Sequence, residues 1–281
     1  MKFKFFFLSF NIIVAALLLI VLFMPALILG EDFSALWGRD FRVFLWPLAA
    51  VLTIALIMLD IYYFFNRTLF RLLEREDWPA LSAYLETQVL RKGRYSGRLV
   101  RLYASICLVL SDSWAVIDLG NKLALVKPAL VERNALIFGA ARILAGDYGG
   151  ARRFFAAQDR GFGDGSRSKQ WLTWYHGFSL LLDKQFAEAA EKFRLLAREA
   201  RDPIPAALAA WFLTENLSAI AGNSFREDAN AARDRVRSIL KRRKDWDREL
   251  TRTETEIHMA ILRKYINDTA HWVYNGAYEK L

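Results

Sequence analysis

Cysteine is almost missing from this chain: Cys107 is the one example in 281 residues. No disulfide can form within the chain, a zinc site built from several cysteines is excluded, and the count fits a reducing compartment. Cys107 lies in the apolar run from Ile106 to Leu110 and reads as a core residue. Histidine is scarce too. His176, His258 and His271 are scattered, with no H-E-x-x-H or similar ligand spacing. No G-x-S-x-G elbow, pair of carboxylates or Cys–His arrangement stands out. The sequence therefore carries no catalytic signature, and neither an enzymatic activity nor a cofactor or metal is expected. Gly161-Phe162-Gly163-Asp164-Gly165-Ser166 is faintly like a phosphate loop, but it lacks the G-K-[ST] ending, its third glycine is misplaced for G-x-G-x-x-G and no strand precedes it, so it reads as a linker between units.

Charge is missing from two long stretches. Phe5 to Leu29 has none, and Val43 to Phe65 has Asp60 alone. A bilayer core needs about 20 apolar helical residues, so helices over about 5–29 and 43–65 are expected to form a transmembrane hairpin within residues 1–66. Pro47 falls in the first turns of the second run, where a helix tolerates it best. The first run is too long for a signal-peptide h-region, and no A-x-A site or lipobox cysteine follows it, so it reads as a retained helix. The loop from Gly30 to Arg42 is short and slightly acidic, whereas Lys2 and Lys4 precede the first helix and Arg67, Arg71 and Arg75 follow the second. The positive-inside rule then puts both ends in the cytoplasm, and Trp37, Trp46, Tyr62 and Tyr63 suit interfacial aromatic belts. Asp60 either reaches the headgroups from its place near the helix end or has an intramembrane role; the former is the plainer reading. The expectation is a multi-pass protein of the bacterial inner (cytoplasmic) membrane, with both termini and the domain after the hairpin cytoplasmic.

Charges of the two signs cancel in the first 65 residues, so the whole formal excess of +9 sits on residues 66–281. A basic domain beside a membrane is drawn to anionic headgroups by roughly 1 kcal/mol per basic residue near the surface. The densest basic stretch is Arg233, Arg235, Arg237 and Lys241-Arg242-Arg243-Lys244. It is either a solvated helix face or a patch for lipid or an acidic protein. Nucleic acid ranks below these, because no recognised nucleic-acid fold accompanies it.

After residue 66 proline is sparse, β-branched runs are few, and apolar residues recur at three- and four-residue steps, which points to helix throughout. The helical part is also self-similar. Trp78, Trp114, Tyr148, Phe186 and Phe225 each follow a polar or glycine turn, at steps of 34 to 39 residues. Gly139, Tyr148, Ala151 and Phe155 return 38 residues later as Gly177, Phe186, Ala189 and Phe193. These residues resemble the tetratricopeptide-repeat (TPR) pattern: a small residue inside helix A, an aromatic opening helix B, then a small residue and an aromatic within helix B. The small residue lets the two helices approach, the aromatic fills the gap to the next unit, and units must stack because one pair cannot bury its apolar face alone. Gly120 and Asn121 stand where the pattern wants helix-B core, which implies a distorted second unit. The layout, two membrane helices and then TPR-like helices, is similar to that of bacterial inner-membrane proteins of the HemY N-terminal type.

The expected fold is thus all-α, a hairpin anchor followed by a TPR-like α-solenoid of about four to five helical hairpins over 67–245, with capping helices over 246–281. In the last segment Ile257, Ile261, Lys264/Tyr265 and Asp268 form a partial stripe that either caps the solenoid or docks a partner. The resemblance implies a concave groove lined by A helices, with Trp171, Trp174, Gln185, Arg133 and Asp147 facing it; the alternative for the two tryptophans is inter-repeat core. The implied function is a membrane-anchored scaffold or adaptor that binds other proteins, with oligomerisation open. The alternatives are a structural subunit of a bacterial envelope, secretion or motility assembly, and an accessory subunit of a membrane enzyme or transporter.

Overall fold

The computed structural model describes residues 2–29, 39–159, 167–219, 223–253 and 258–275. Among them are fourteen α-helices and no strand. They are α1 (Lys2–Leu29), α2 (Arg39–Arg75), α3 (Trp78–Glu86), α4 (Gly97–Val109), α5 (Ser113–Val126), α6 (Pro128–Arg133) and α7 (Ala135–Leu144). There follow α8 (Tyr148–Gln158), α9 (Arg167–Leu182), α10 (Phe186–Glu199), α11 (Pro203–Glu215), α12 (Asn223–Ile239), α13 (Arg243–Thr253) and α14 (His258–Asn275). A π-helical turn, Thr87–Arg91, continues α3. The chain divides into two compact units between Thr87 and Gln88.

In the first unit α1 packs along α2. The Asn11 side-chain amide donates to Asp60 Oδ1 at 2.8 Å, and Phe7 stacks on Tyr63 at 4.0 Å. Asp60 therefore has a partner on the neighbouring helix. Elsewhere the pair turns hydrocarbon outward: Ile12, Leu17, Ile54, Met58 and Phe65 are all exposed. Of the two expected spans, one described helix, Pro47–Arg75, is long and apolar enough to cross a membrane; Phe7–Ile20 is a shorter apolar segment. Helix α2 begins at Arg39, earlier than expected, so Pro47 lies inside it and its missing N–H removes one i→i−4 bond. The helix also runs through residue 66 to Arg75 without a break, so the expected boundary there falls within a helix.

One turn recurs at the ends of α2, α4, α7 and α9. A single residue takes a left-handed conformation: Glu76 (φ 53°), Ser111 (62°), Gly146 (75°) and Lys184 (63°). Its amide donates to the carbonyl three residues back and the next amide to the carbonyl five back, as in Gly146 N to Ile143 O (3.1 Å) and Asp147 N to Arg142 O (2.9 Å). This motif satisfies the last carbonyls of a helix and reverses the chain. Asp77, Asp112 and Asp147 follow directly and cap the next helix, accepting from Ala80, Ala115 and Gly150 amides. Gln185 holds the fourth such position without a side-chain cap.

In the second unit successive helices pack on one another. Glycine makes the close approaches possible. A Cβ on Gly139 would lie 2.0 Å from the Phe155 ring, and one on Gly177 3.0 Å from Phe193. Gly120 has the same relation to Phe138 at 3.0 Å, so it admits a neighbouring helix rather than leaving a gap. Asn121 is exposed and accepts from Arg142 at 2.8 Å. Ser113 opens α5 as Tyr148 opens α8, directly after the capping aspartate; Ser113 is buried, whereas Tyr148 and Trp114 are 39% and 60% exposed. The core runs from Ala135 to Val273 through an aromatic chain in which Phe155 stacks on Tyr175 and Phe193 on Phe212.

Candidate functional site

Helix α14 is the element that singles out a surface. It packs most on α11, and also on α12, α13 and α7. Its buried stripe is Leu262, Ile266, Thr269, Ala270 and Val273, steps of three and four that form one face of a helix. Arg263, Lys264 and Asn267 are exposed. The stripe lies one position away from the expected Lys264/Tyr265 and Asp268 register, and Ile257 is outside the described residues. Tyr265 flanks the stripe, with ring centroids 5.3 Å from Phe212, 5.8 Å from Phe178 and 6.1 Å from Trp211. An amphipathic helix thus lies across the first helices of successive pairs, which is the geometry of helix-in-groove recognition.

Polar contacts hold α14 and its neighbour α13 in place. Tyr274 Oη donates to Leu240 O at 2.7 Å, and the Arg233 guanidinium lies 5.0 Å over Trp272. Burial, then the nearby Arg237, pushes the Arg233 pKa down. Burial likewise pushes the Tyr274 hydroxyl up, joined by Asp245. At the other end of α13, Glu249 pairs with Arg167, which also binds Asp202 Oδ2 at 2.9 Å. Asp202 caps α11, and its burial pushes its pKa up against the pull of Arg167.

A second polar cluster joins α8, α9 and α10. Asp159, with its side chain 2% exposed, accepts from Lys192 Nζ (2.7 Å), Thr173 Oγ1 (2.8 Å) and His176 Nδ1 (2.9 Å). Burial works to raise the Asp159 pKa, but the bonds from His176, Lys192 and Thr173 and the Lys192 charge outweigh it and hold the carboxyl far below the usual carboxylate range. His176 and Lys192 also line an open cleft of about 740 Å³ with Glu188, Glu191, Leu195 and Phe225. The carboxylate–imidazole pair orients the ring as in a general base, but the hydroxyl beside it, on Thr173, donates to Asp159 and is not poised as a nucleophile. No group of three or more His, Cys, Asp or Glu among the described residues could hold a metal. The arrangement welds three helices together. The lone position of His176 in sequence gave no sign of it, because its partners are on other helices.

The five residues expected to share a groove do not share a surface. Trp171 and Trp174 are buried, at 2% and 0% exposure, and belong to the inter-repeat core. Asp147 is the cap of α8 and pairs with Arg142 at 3.3 Å. Gln185 and Arg133 are exposed, the first opening α10 and the second ending α6. The basic stretch divides too. Arg233 is spent on Trp272, and Arg235 donates to the carbonyls of Ala197, Arg198 and Ala200 at the end of α10. Arg243 binds Asp247 and Arg242 leans on Asp245, while Arg237, Lys241 and Lys244 are exposed. The glycine-rich segment 161–166 lies outside the described residues.

Comparison with known proteins gives one family model, described as "Uncharacterised Treponema protein", which matches residues 115–275, more than half the chain. A protein of Treponema pallidum (strain Nichols), described as "Uncharacterized protein", is 30% identical over 161 residues, 57% of this chain and 50% of its own length. The chain thus spans about half the length of that relative. No solved structure matches. The matched segment begins within α5 and ends with α14.

Proposed function

We propose, for a chain that belongs to this Treponema family, a membrane-anchored, TPR-like helical scaffold that binds other proteins at the cytoplasmic face of the bacterial inner membrane. Helices α1 and α2 form a hairpin that crosses twice. In support, both expose hydrocarbon outward, and the Asn11 amide of one donates to the Asp60 carboxylate of the other. The basic residues on either side of the hairpin favour cytoplasmic ends. The TPR-like reading rests on the recurring turn and on the Gly139–Phe155 and Gly177–Phe193 approaches.

The observation that carries the binding role is the seat of α14. The face made by α7, α9 and α11 accepts an amphipathic helix with apolar residues at three- and four-residue steps and an aromatic at its flank. A partner helix of that pattern fits the same kind of surface. The test is purification of the full chain from membranes in mild detergent, with a photo-crosslinking amino acid at Lys264 or Gln185. A discrete, stoichiometric crosslinked partner is expected. Repeated recovery of the chain without one would remove the scaffold reading.

A further inference from the structure

From Gln88 to Ser111 the chain has Arg91, Lys92, Arg94, Arg98 and Arg101 and no acidic residue. Arg91, Lys92 and Arg94 are exposed on the connector that leads into α4, and Arg98 is exposed in its first turn. Arg101 is partly used, donating to Asn134 at 3.3 Å. Lys127 Nζ donates to Tyr95 O at 3.4 Å, which brings the end of α5 against this connector. That end is apolar and open. Leu125 is 88% exposed, more than Phe65 on α2 at 75%, and Val126 is 55% exposed. Ala124, Pro128 and Ala129 beside them are exposed as well. Lys122 and Lys127 are exposed on either side.

We infer that this tip, Leu125 and Val126 together with Lys127 and the basic connector residues Arg91, Lys92 and Arg94, docks on an anionic phospholipid surface, its side chains entering the headgroup layer. The inference rests on the membrane anchorage proposed above and names where the second unit meets lipid. Three features favour lipid over a protein. The charge of the connector is of one sign, as anionic headgroups require. The apolar tip is far smaller than the roughly 800 Å² that each partner gives to a standard protein interface. Shallow insertion of a few apolar side chains beside basic ones is how peripheral surfaces hold a bilayer. In sequence, only α3 and its π turn separate α2 from Arg91. A tethered surface needs little intrinsic affinity, because the anchor holds its local concentration high.

The test uses the full chain in nanodiscs of phosphatidylcholine, alone or with about one third phosphatidylglycerol. An environment-sensitive fluorophore is placed through Leu125→Cys, Met58→Cys or Gln185→Cys, and quenching by a spin-labelled lipid is read. Cys107 is buried and does not compete for the label. Expected are strong quenching at 125 in the anionic discs, weak quenching there in neutral discs, and little at 185 in either. The triple variant Arg91→Glu, Lys92→Glu, Arg94→Glu lowers occupancy of the docked state about tenfold or more. A label at 125 that stays in water in both discs overturns the inference. So does quenching that ignores lipid charge and the triple variant, or protection by poly(U) in place of lipid. The label at 58 separates the two claims. If it sits in hydrocarbon while 125 stays in water, only the docking tip fails; if it sits in water, the anchor fails and the tip with it.

Discussion

Gly139 is where one atom decides most. Its missing Cβ would lie 2.0 Å from the Phe155 ring, whereas the one missing at Gly177 would lie 3.0 Å from Phe193. Gly139→Ala should therefore destabilise by about 2–3 kcal/mol and Gly177→Ala by about 1 kcal/mol, read as thermal or denaturant midpoints in detergent. Equal effects would count against the close approach. Lys184 makes the opposite case. It holds φ 63°, a conformation that costs a side chain but not glycine. Lys184→Gly should stabilise by about 0.5–1 kcal/mol by the same measurement. Asp159 gives the pH dependence. Its folded pKa lies below its unfolded value of about 3.9. Its contribution is thus fully present above that unfolded value and is lost as pH falls below it. Asp159→Asn should cost on the order of 2 kcal/mol at pH 7 and flatten the acid limb of stability between roughly pH 4 and 2. An unchanged acid limb in the variant would show that other carboxylates set it.

At the scale of elements, the turns carry the repeat. Aspartate marks three of them, with glycine before it at Gly146-Asp147 and without at Glu76-Asp77 and Ser111-Asp112, and the aromatics Tyr148 and Phe186 stand right after the turn. That much could be read from the chain, and so could the glycine–aromatic pairs, because each pair spans neighbouring helices at a fixed sequence offset. The groove could not. Trp171 and Trp174 look like surface anchors in sequence, but their fate depends on which helices flank them: Trp174 is buried against Phe178 and Phe212, and Trp171 against Trp174 and Tyr175. The stripe of α14 was hidden for another reason. It relies on Thr269 and Ala270, residues too weakly apolar to mark a face, and Tyr265 beside them drew the register one position away. The Asp159 cluster draws its members from three helices and has no local signature at all. For α14, the measurement is hydrogen exchange. Tyr265→Ala removes three ring contacts, each worth about 0.5–1.5 kcal/mol. Faster exchange is expected in α14 and on the facing side of α11, with α10 little changed. Uniform loosening of the second unit would mean that α14 is core rather than an occupant of a face.

For the whole molecule, a continuous helix carries the chain out of the apolar segment and into the first recurring turn: α2 ends at Arg75, and Glu76-Asp77 start the reversal into α3. Under the proposed function there is no loose tether at this joint, so whatever force or orientation the membrane imposes on α2 reaches α3 through hydrogen-bonded backbone. The account's central claim is that this anchored chain offers its helical repeat to other proteins. Crosslinking mass spectrometry of the full chain in intact membranes tests it most directly. The account predicts intramolecular links from Lys264 to the neighbouring helices, together with reproducible links from exposed lysines of the second unit, such as Lys241 and Lys244, to one or a few partner proteins. Recovery of the chain in the soluble fraction, or in membranes with links to itself alone, would contradict it.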